Sequence, residues 1–152
     1  MARLRQLTVD DLRACLVADE VAAIGRNVAG GDEQTNAWLQ EKLVSACDRV
    51  CGAVAACPRN LAIPYSLCKV PSSCAHTALI LARHAVISSL PGLSETLEGS
   101  SRSAEYHTAV ADLQALAACR LDVGTYADDP DITAPVVGIG LVTQPSNNWT
   151  GL

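Results

Sequence analysis

Pro58, Pro64 and Pro71 fall within the fourteen residues "PRNLAIPYSLCKVP", positions 58–71. Each lacks a backbone N–H and excludes the helical conformation from the residue before it, so this stretch reads as an extended crossover with room for a short strand. Long helical patterns stand on both sides. The chain is therefore constrained to two helical halves joined by a stiff, non-helical connection.

Upstream, Thr8 is placed to cap a first helix over about 9–17, with Asp10 and Asp11 in the first turn, where negative charge suits the helix dipole. A short second turn is expected around 19–24. "GRNVAGGDEQ" then reads as a loop through Gly25, Gly30 and Gly31. The next helix runs from near Asp32 to near Cys57, where Pro58 ends it. Leu39, Leu43, Ala46, Cys47, Val50, Val54 and Cys57 recur on it at three and four residues and predict one buried stripe.

Downstream of the crossover, Ser72 or Ser73 caps a helix to about Leu90, stopped by Pro91 and Gly92. Ala75, Ala78, Leu79, Ala82, Val86 and Leu90 form its main stripe, and Ile80, Leu81, Ala85 and Ile87 make most other faces apolar too. Such a helix is either central or covered by another subunit. After the loop "GLSETLEGS", Ser101 or Ser103 caps a last helix with Tyr106, Val110, Leu113, Ala117 and Leu121 on its stripe, ending at Gly124. The final stretch has three prolines and no helical period, and "PVVGIGLVTQ" within it is apolar enough to dock on a partner. The expected architecture is all-α: a small antiparallel bundle of about four helices over residues 1–124, with the proline-rich crossover and an extended C-terminal arm over 125–152.

Charge narrows the function classes. Residues 1–120 hold 12 acids and 11 bases, and residues 121–152 hold 4 acids and no Lys or Arg, which together give the net −5. No Lys/Arg cluster is present to neutralise phosphates, which disfavours tight binding to a DNA backbone. The opening "MARLRQLTVDDLRACL" lacks the apolar run of a secretory signal. "TALILARHAVISSL" is broken by Arg83 and His84, well short of the roughly 18 apolar residues of a membrane span. A soluble protein made in a cytoplasm, with its seven cysteines reduced, is the expectation.

Five of those cysteines lie between positions 47 and 74. Cys47 and Cys51 are one helical turn apart, but no C-x2-C knuckle is present, and the six-residue spacings of Cys51 to Cys57 and Cys68 to Cys74 are uncommon for zinc. Small packing residues are the reading preferred to metal ligands. His76 and His84 lie out of phase on their helix, and Cys74 with His76 lacks the opposing geometry of a nucleophile and base. Asp128, Asp129 and Asp131 lack the closing Glu of a calcium loop, and "VVGIGLV" lacks the third glycine and following helix of a dinucleotide site. Asn148-Trp149-Thr150 matches a glycosylation sequon, which carries weight only with secretion. No catalytic residue, metal or cofactor is expected. The rival reading is a small cytoplasmic metal- or thiol-dependent protein using the 47–74 cysteines, and a third is a helical DNA-binding module.

Taken in order, these features resemble the neck proteins of Mu-like tailed bacteriophages, the head–tail connector (adaptor) family. "LTVDDL" at 7–12 stands where that family has L-T-x-x-D-L, and "LVSACDRVCGAVA" at 43–55 where it has its long helix. "IPYSLCKVP" stands at the Tyr/Pro crossover, and Arg102, Tyr106, Ala109, Leu113 and Leu116 fit the opening of its last helix. The likeness covers about residues 4–124. It departs where Ala118–Cys119 replaces a helix-ending glycine, and where the crossover reads "CPRNLAIPY". The resemblance implies a structural virion protein without catalysis: a ring of about twelve copies between a portal above and a tail or stopper below. DNA would pass through the lumen without sequence-specific binding. Assembly would take place in the bacterial cytoplasm, with no membrane partner. Ile80, Leu81, Ile87, Tyr126, Val136, Val137, Ile139, Leu141 and Trp149 are the expected ring or partner contacts.

Overall fold

The first helix starts from a reciprocal cap. Thr8 Oγ1 accepts from the Asp11 amide at 3.3 Å, and Asp11 Oδ2 accepts from the Thr8 amide at 2.9 Å, satisfying two donors that a helix start otherwise strands. Arg5 donates to the other Asp11 oxygen at 2.9 Å. The computed structural model of the chain describes residues 3–60, 66–93, 100–121 and 123. Within them, strand β1 (Leu4–Gln6) leads into helices α1 (Val9–Ala14), α2 (Ala18–Asn27) and α3 (Gly31–Ala56). Strand β2 (Lys69–Pro71) and a 3-10 turn (Ser72–Cys74) precede α4 (Ala75–Ser88) and α5 (Ser101–Ala117). The fold is mostly helical with one small two-stranded sheet.

The N-terminal boundaries differ from the sequence reading. The expected helix over 9–17 stops at Ala14, because Val17 turns extended and its amide is capped by Glu20 Oε2 at 2.9 Å, starting a new helix. That helix, α2, runs ten residues to Asn27, so the expected turn is a full helix and the expected loop shrinks to the few residues before Gly31. Gly30 makes the reversal at φ +111°, a conformation that suits glycine alone, and a Cβ there would lie 2.7 Å from the Gln34 side chain.

α3 follows the expectation within a residue at each end. Its 26 residues span about 39 Å, and Leu39, Leu43, Ala46, Cys47, Val50 and Val54 are buried along one face, with Cys57 buried at its C-cap. Asn60 donates to the Val54 carbonyl at 3.0 Å, closing the end where Pro58 forbids another turn.

α4 is the central element. Ala78, Ala82 and Val86 are fully buried, and Ile80, Leu81 and Ile87 are buried with them at 8, 2 and 2% exposure. It packs against α3, α5 and α1, and α3 also packs against α5. Small residues on α4 permit this close approach of helices on several sides. Each large aliphatic side chain buried here contributes about 1.5–3 kcal/mol.

The crossover ends in a strand, as allowed for, but its partner β1 has no strand-like run in the sequence. The two pair antiparallel with Leu4 opposite Pro71, Arg5 opposite Val70 and Gln6 opposite Lys69. Flanking bonds from the Leu7 amide to the Cys68 carbonyl (2.9 Å) and from the Ser72 amide to the Arg3 carbonyl (2.7 Å) extend the pairing. Pro71 sits at the strand end, where its missing N–H costs little.

α5 is capped by Ser100, whose hydroxyl accepts from the Ser103 amide at 3.4 Å, rather than by Ser101 or Ser103. It ends at Ala117, not near Gly124, and exposed Leu121 lies past it. Cys119 takes the left-handed conformation at φ +56°. Its amide bonds to the Leu116 carbonyl at 3.0 Å and the Arg120 amide to the Ala115 carbonyl at 2.8 Å. This is the Schellman closure, with cysteine where glycine is usual. Cys119 is also disulfide-bonded to Cys57. The expectation of seven reduced thiols is thus corrected: α3 and α5 end side by side, and that juxtaposition has no signature in the spacing of the two cysteines.

Candidate functional site

The densest set of reactive side chains lies where the crossover re-enters the bundle. Cys47 and Cys51 project from the same side of α3, one turn apart. Cys68 precedes β2, and Cys74 closes the 3-10 turn. Gln40 Nε2 donates to Cys68 Sγ at 3.2 Å, and Cys51 Sγ donates to the Lys69 carbonyl at 3.5 Å, with Cys47 on the stretch of helix between them. Positions 40, 47 and 51 share one face of the helix by periodicity, so the segment 68–69 lies along that face.

The chemistry of this cluster is quiet. Burial raises the Cys47 thiol far above its ordinary value, and the neighbouring Cys68 adds to the effect. Burial also raises Cys51, with Asp48 next in importance. At Cys68 burial raises the thiol while the bonds from Cys47 and Gln40 oppose it. At Cys74 burial again dominates, opposed by Ser73. Protonated thiols are poor nucleophiles and poor metal ligands. Among the described residues no group of three or more His, Cys, Asp or Glu side chains is placed to hold a metal ion.

Two of the three histidines meet at Tyr106. His84 on α4 stacks on Tyr106 of α5 with ring centroids 3.6 Å apart and planes 14° apart, and His107 meets the edge of Tyr106 at 5.9 Å. Burial lowers the His84 pKa, with His107 and Arg49 adding smaller effects of the same sign. His76 is exposed at the mouth of a groove of about 390 Å³ between α4 and α5, together with Thr77, Glu105, Thr108 and Asp112. Glu105 is held by Arg83, which keeps its carboxyl below the usual range. Among the described residues no hydrogen bond joins the Thr77, Ser101 or Thr108 hydroxyl of this groove to His76, Glu105 or Asp112.

Of the expected interface residues, Ile80, Leu81 and Ile87 are buried inside the chain's own fold. Of the two alternatives for that apolar helix, the central position is the one adopted. Tyr126, Val136, Val137, Ile139, Leu141 and Trp149 lie outside the described residues, as do the Asp128, Asp129 and Asp131 cluster and the sequon. Exposed large apolar side chains are found instead at Val17, Val21, Leu67 and Leu121, at 49, 51, 50 and 44%. Val17 and Val21 stand one turn apart at the start of α2, whereas the sequence reading places Val17 at the end of the first helix and Val21 in a brief turn.

Sequence reasoning missed Glu20. It is 6% exposed, and its two oxygens engage the Val17 amide at 2.9 Å and Arg102 Nη1 at 2.7 Å. The Arg102 contact is an ion pair without hydrogen-bond alignment. A buried carboxylate is tolerable when both oxygens are matched in this way. Among the described residues no helix is long and apolar enough to cross a membrane. Comparisons with protein-family models, with curated proteins and with solved structures find no match for this chain.

Proposed function

We propose that this chain is a structural virion protein, a head–tail connector that assembles as a ring between a portal and a tail or stopper and lets DNA pass. The observation that carries the reading is what the motif residues of α5 do. Arg102 reaches Glu20 of α2, Tyr106 stacks on His84 of α4, and Ala109, Leu113 and Leu116 are buried. The residues that carry the resemblance are thus those that tie the last helix to the rest of the bundle, as expected of a scaffold whose work is shape.

Two further features support it. Burial holds the four thiols of the crossover cluster in the protonated form, which fits a protein without catalysis better than one built on its cysteines. Acids and bases nearly balance over residues 1–120, so a DNA-lined passage would meet little fixed attraction. With Ile80, Leu81 and Ile87 in the core, ring contacts in this reading fall to exposed residues such as Val17 and Val21, and to the apolar segment of the arm.

The test is reconstitution with a candidate portal protein from the producing genome. Purified full-length chain mixed with portal and imaged by negative stain is expected to show an added ring below the portal. Failure to bind any portal, with the protein remaining monomeric in its presence, would overturn the proposal.

A further inference from the structure

We infer that Cys47 and Cys68 are a dithiol pair that closes to a second disulfide, by exchange with a low-molecular-weight disulfide such as oxidised glutathione, pinning the crossover to α3. The inference does not depend on the virion reading.

The starting observation is conformational. Among the described residues only two non-glycine positions have positive φ, Cys119 at 56° and Cys68 at 57°. A side chain in the left-handed region is disfavoured, and it persists where surrounding contacts impose it. At Cys119 the imposing contacts include a disulfide to Cys57 at the end of α3. At Cys68 the same turn of backbone aims a sulfur at α3 again, two to three turns earlier. There it receives the Gln40 amide at 3.2 Å, on the face of α3 that also carries Cys47 two turns on.

Cys68 is fixed from both sides. Its carbonyl accepts from the Leu7 amide at 2.9 Å, so β1 holds the backbone while α3 holds the side chain. Cys47 and Cys68 are 1 and 2% exposed, both buried where the crossover meets α3. Cys51 is engaged with the Lys69 carbonyl and Cys74 with Ser73, and Cys47, between Gln40 and Cys51 on the face that Cys68 meets, is the thiol left to pair with it.

The exchange balances in two steps. The Cys68 thiolate, formed in a transient local opening, attacks one sulfur of oxidised glutathione and expels a glutathione thiolate, which takes up the proton Cys68 released. The Cys47 thiolate then attacks the Cys68 sulfur of the mixed disulfide and expels the second glutathione. Two protein thiols become one disulfide, and one oxidised glutathione becomes two reduced ones. Cys68 is the entry point because Leu67 beside it is 50% exposed, whereas Cys47 lies mid-helix.

The experiment uses the full chain with Cys57–Cys119 intact, incubated with oxidised glutathione with and without mild urea, alkylated, and mapped by mass spectrometry without reduction. The expected result is a Cys47–Cys68 linked peptide and a loss of two of the five free thiols, with Cys15, Cys51 and Cys74 still alkylated. In Cys47→Ser the expected product is Cys68 held as its glutathione mixed disulfide, while Cys51→Ser closes the pair as the native chain does. Linkage of Cys68 to Cys51 or Cys74, a native chain that stops at the mixed disulfide, or five thiols unchanged in both conditions would each overturn the inference. The native chain's peptide map decides the matter even if a variant fails to fold.

Discussion

Cys119 holds a left-handed backbone at the end of α5 while its sulfur is bonded to Cys57 at the end of α3. Two opposing contributions meet in one residue: the conformation costs about 1 kcal/mol relative to glycine, and the covalent link removes freedom from the unfolded chain. The 62-residue separation gives the link a stabilising effect of about 4 kcal/mol in the chain-entropy picture. Cys57→Ser is therefore expected to lower unfolding free energy by roughly that amount in urea titrations. Cys119→Gly, which loses the bond but relieves the backbone, should lie about 1 kcal/mol above Cys119→Ala.

The Glu20–Arg102 pair ties α2 to α5 with the carboxylate almost fully enclosed. Glu20→Ala removes the Val17 cap and strands the guanidinium, and the expected loss is about 3 kcal/mol. Arg102→Met alone leaves the carboxylate buried without its cation. The double variant should lose clearly less than the sum of the two single losses, and strict additivity in denaturant melts would count against coupling.

Burial holds the His84 pKa below its ordinary 6.5. As pH falls through about 6.5 the unfolded chain takes up a proton that the folded chain resists, so the folded state loses stability. The contribution is complete above that pH and is lost progressively below it, down to the folded-state pKa. Asp11 and Glu105, whose carboxyls are held below 3.8 and 4.5, act at lower pH. Thermal melts between about pH 7.5 and 5 should show a falling Tm, and His84→Phe should flatten that dependence while keeping the stack on Tyr106.

Leu81 and Ile87 are core residues here, so Leu81→Ala should cost about 2–5 kcal/mol in the isolated chain. Val21→Ser, at an exposed helical position, should change stability by less than about 0.5 kcal/mol, while Val17→Ser puts a favoured cap at the start of α2 and should leave the fold at least as stable. In the connector reading it is the second pair that weakens ring formation on a portal. Intact assembly by the Val17→Ser, Val21→Ser double variant, measured by sedimentation, would remove α2 from the interface.

Local rules carried part of this fold. Pro58 ended α3, the three- and four-residue spacing from Leu39 to Val54 marked its buried face, and the broad apolarity of α4 foretold a helix covered on most of its sides. These features depend on residues within a turn or two of one another, so the sequence alone determined them. The expected cap at Thr8 belongs to the same class, since its partner Asp11 is three residues away.

The rest was decided by residues far apart in the chain. Leu4–Gln6 is a strand because Lys69–Pro71 lies beside it, and three residues carry no period of their own. The surplus apolar face of α4 could serve a neighbour or the chain's own core, and only the arrival of α3, α1 and α5 on its several sides settled which. The cysteines show the same division. Their burial on α3 was legible from periodicity, but the bond from Cys57 to Cys119 and the approach of Cys68 to Cys47 each require a left-handed residue on a separate segment, brought into register by helix ends and a strand pair. Hydrophobic spacing states which side of a helix is inside, and tertiary packing alone chooses what meets it there.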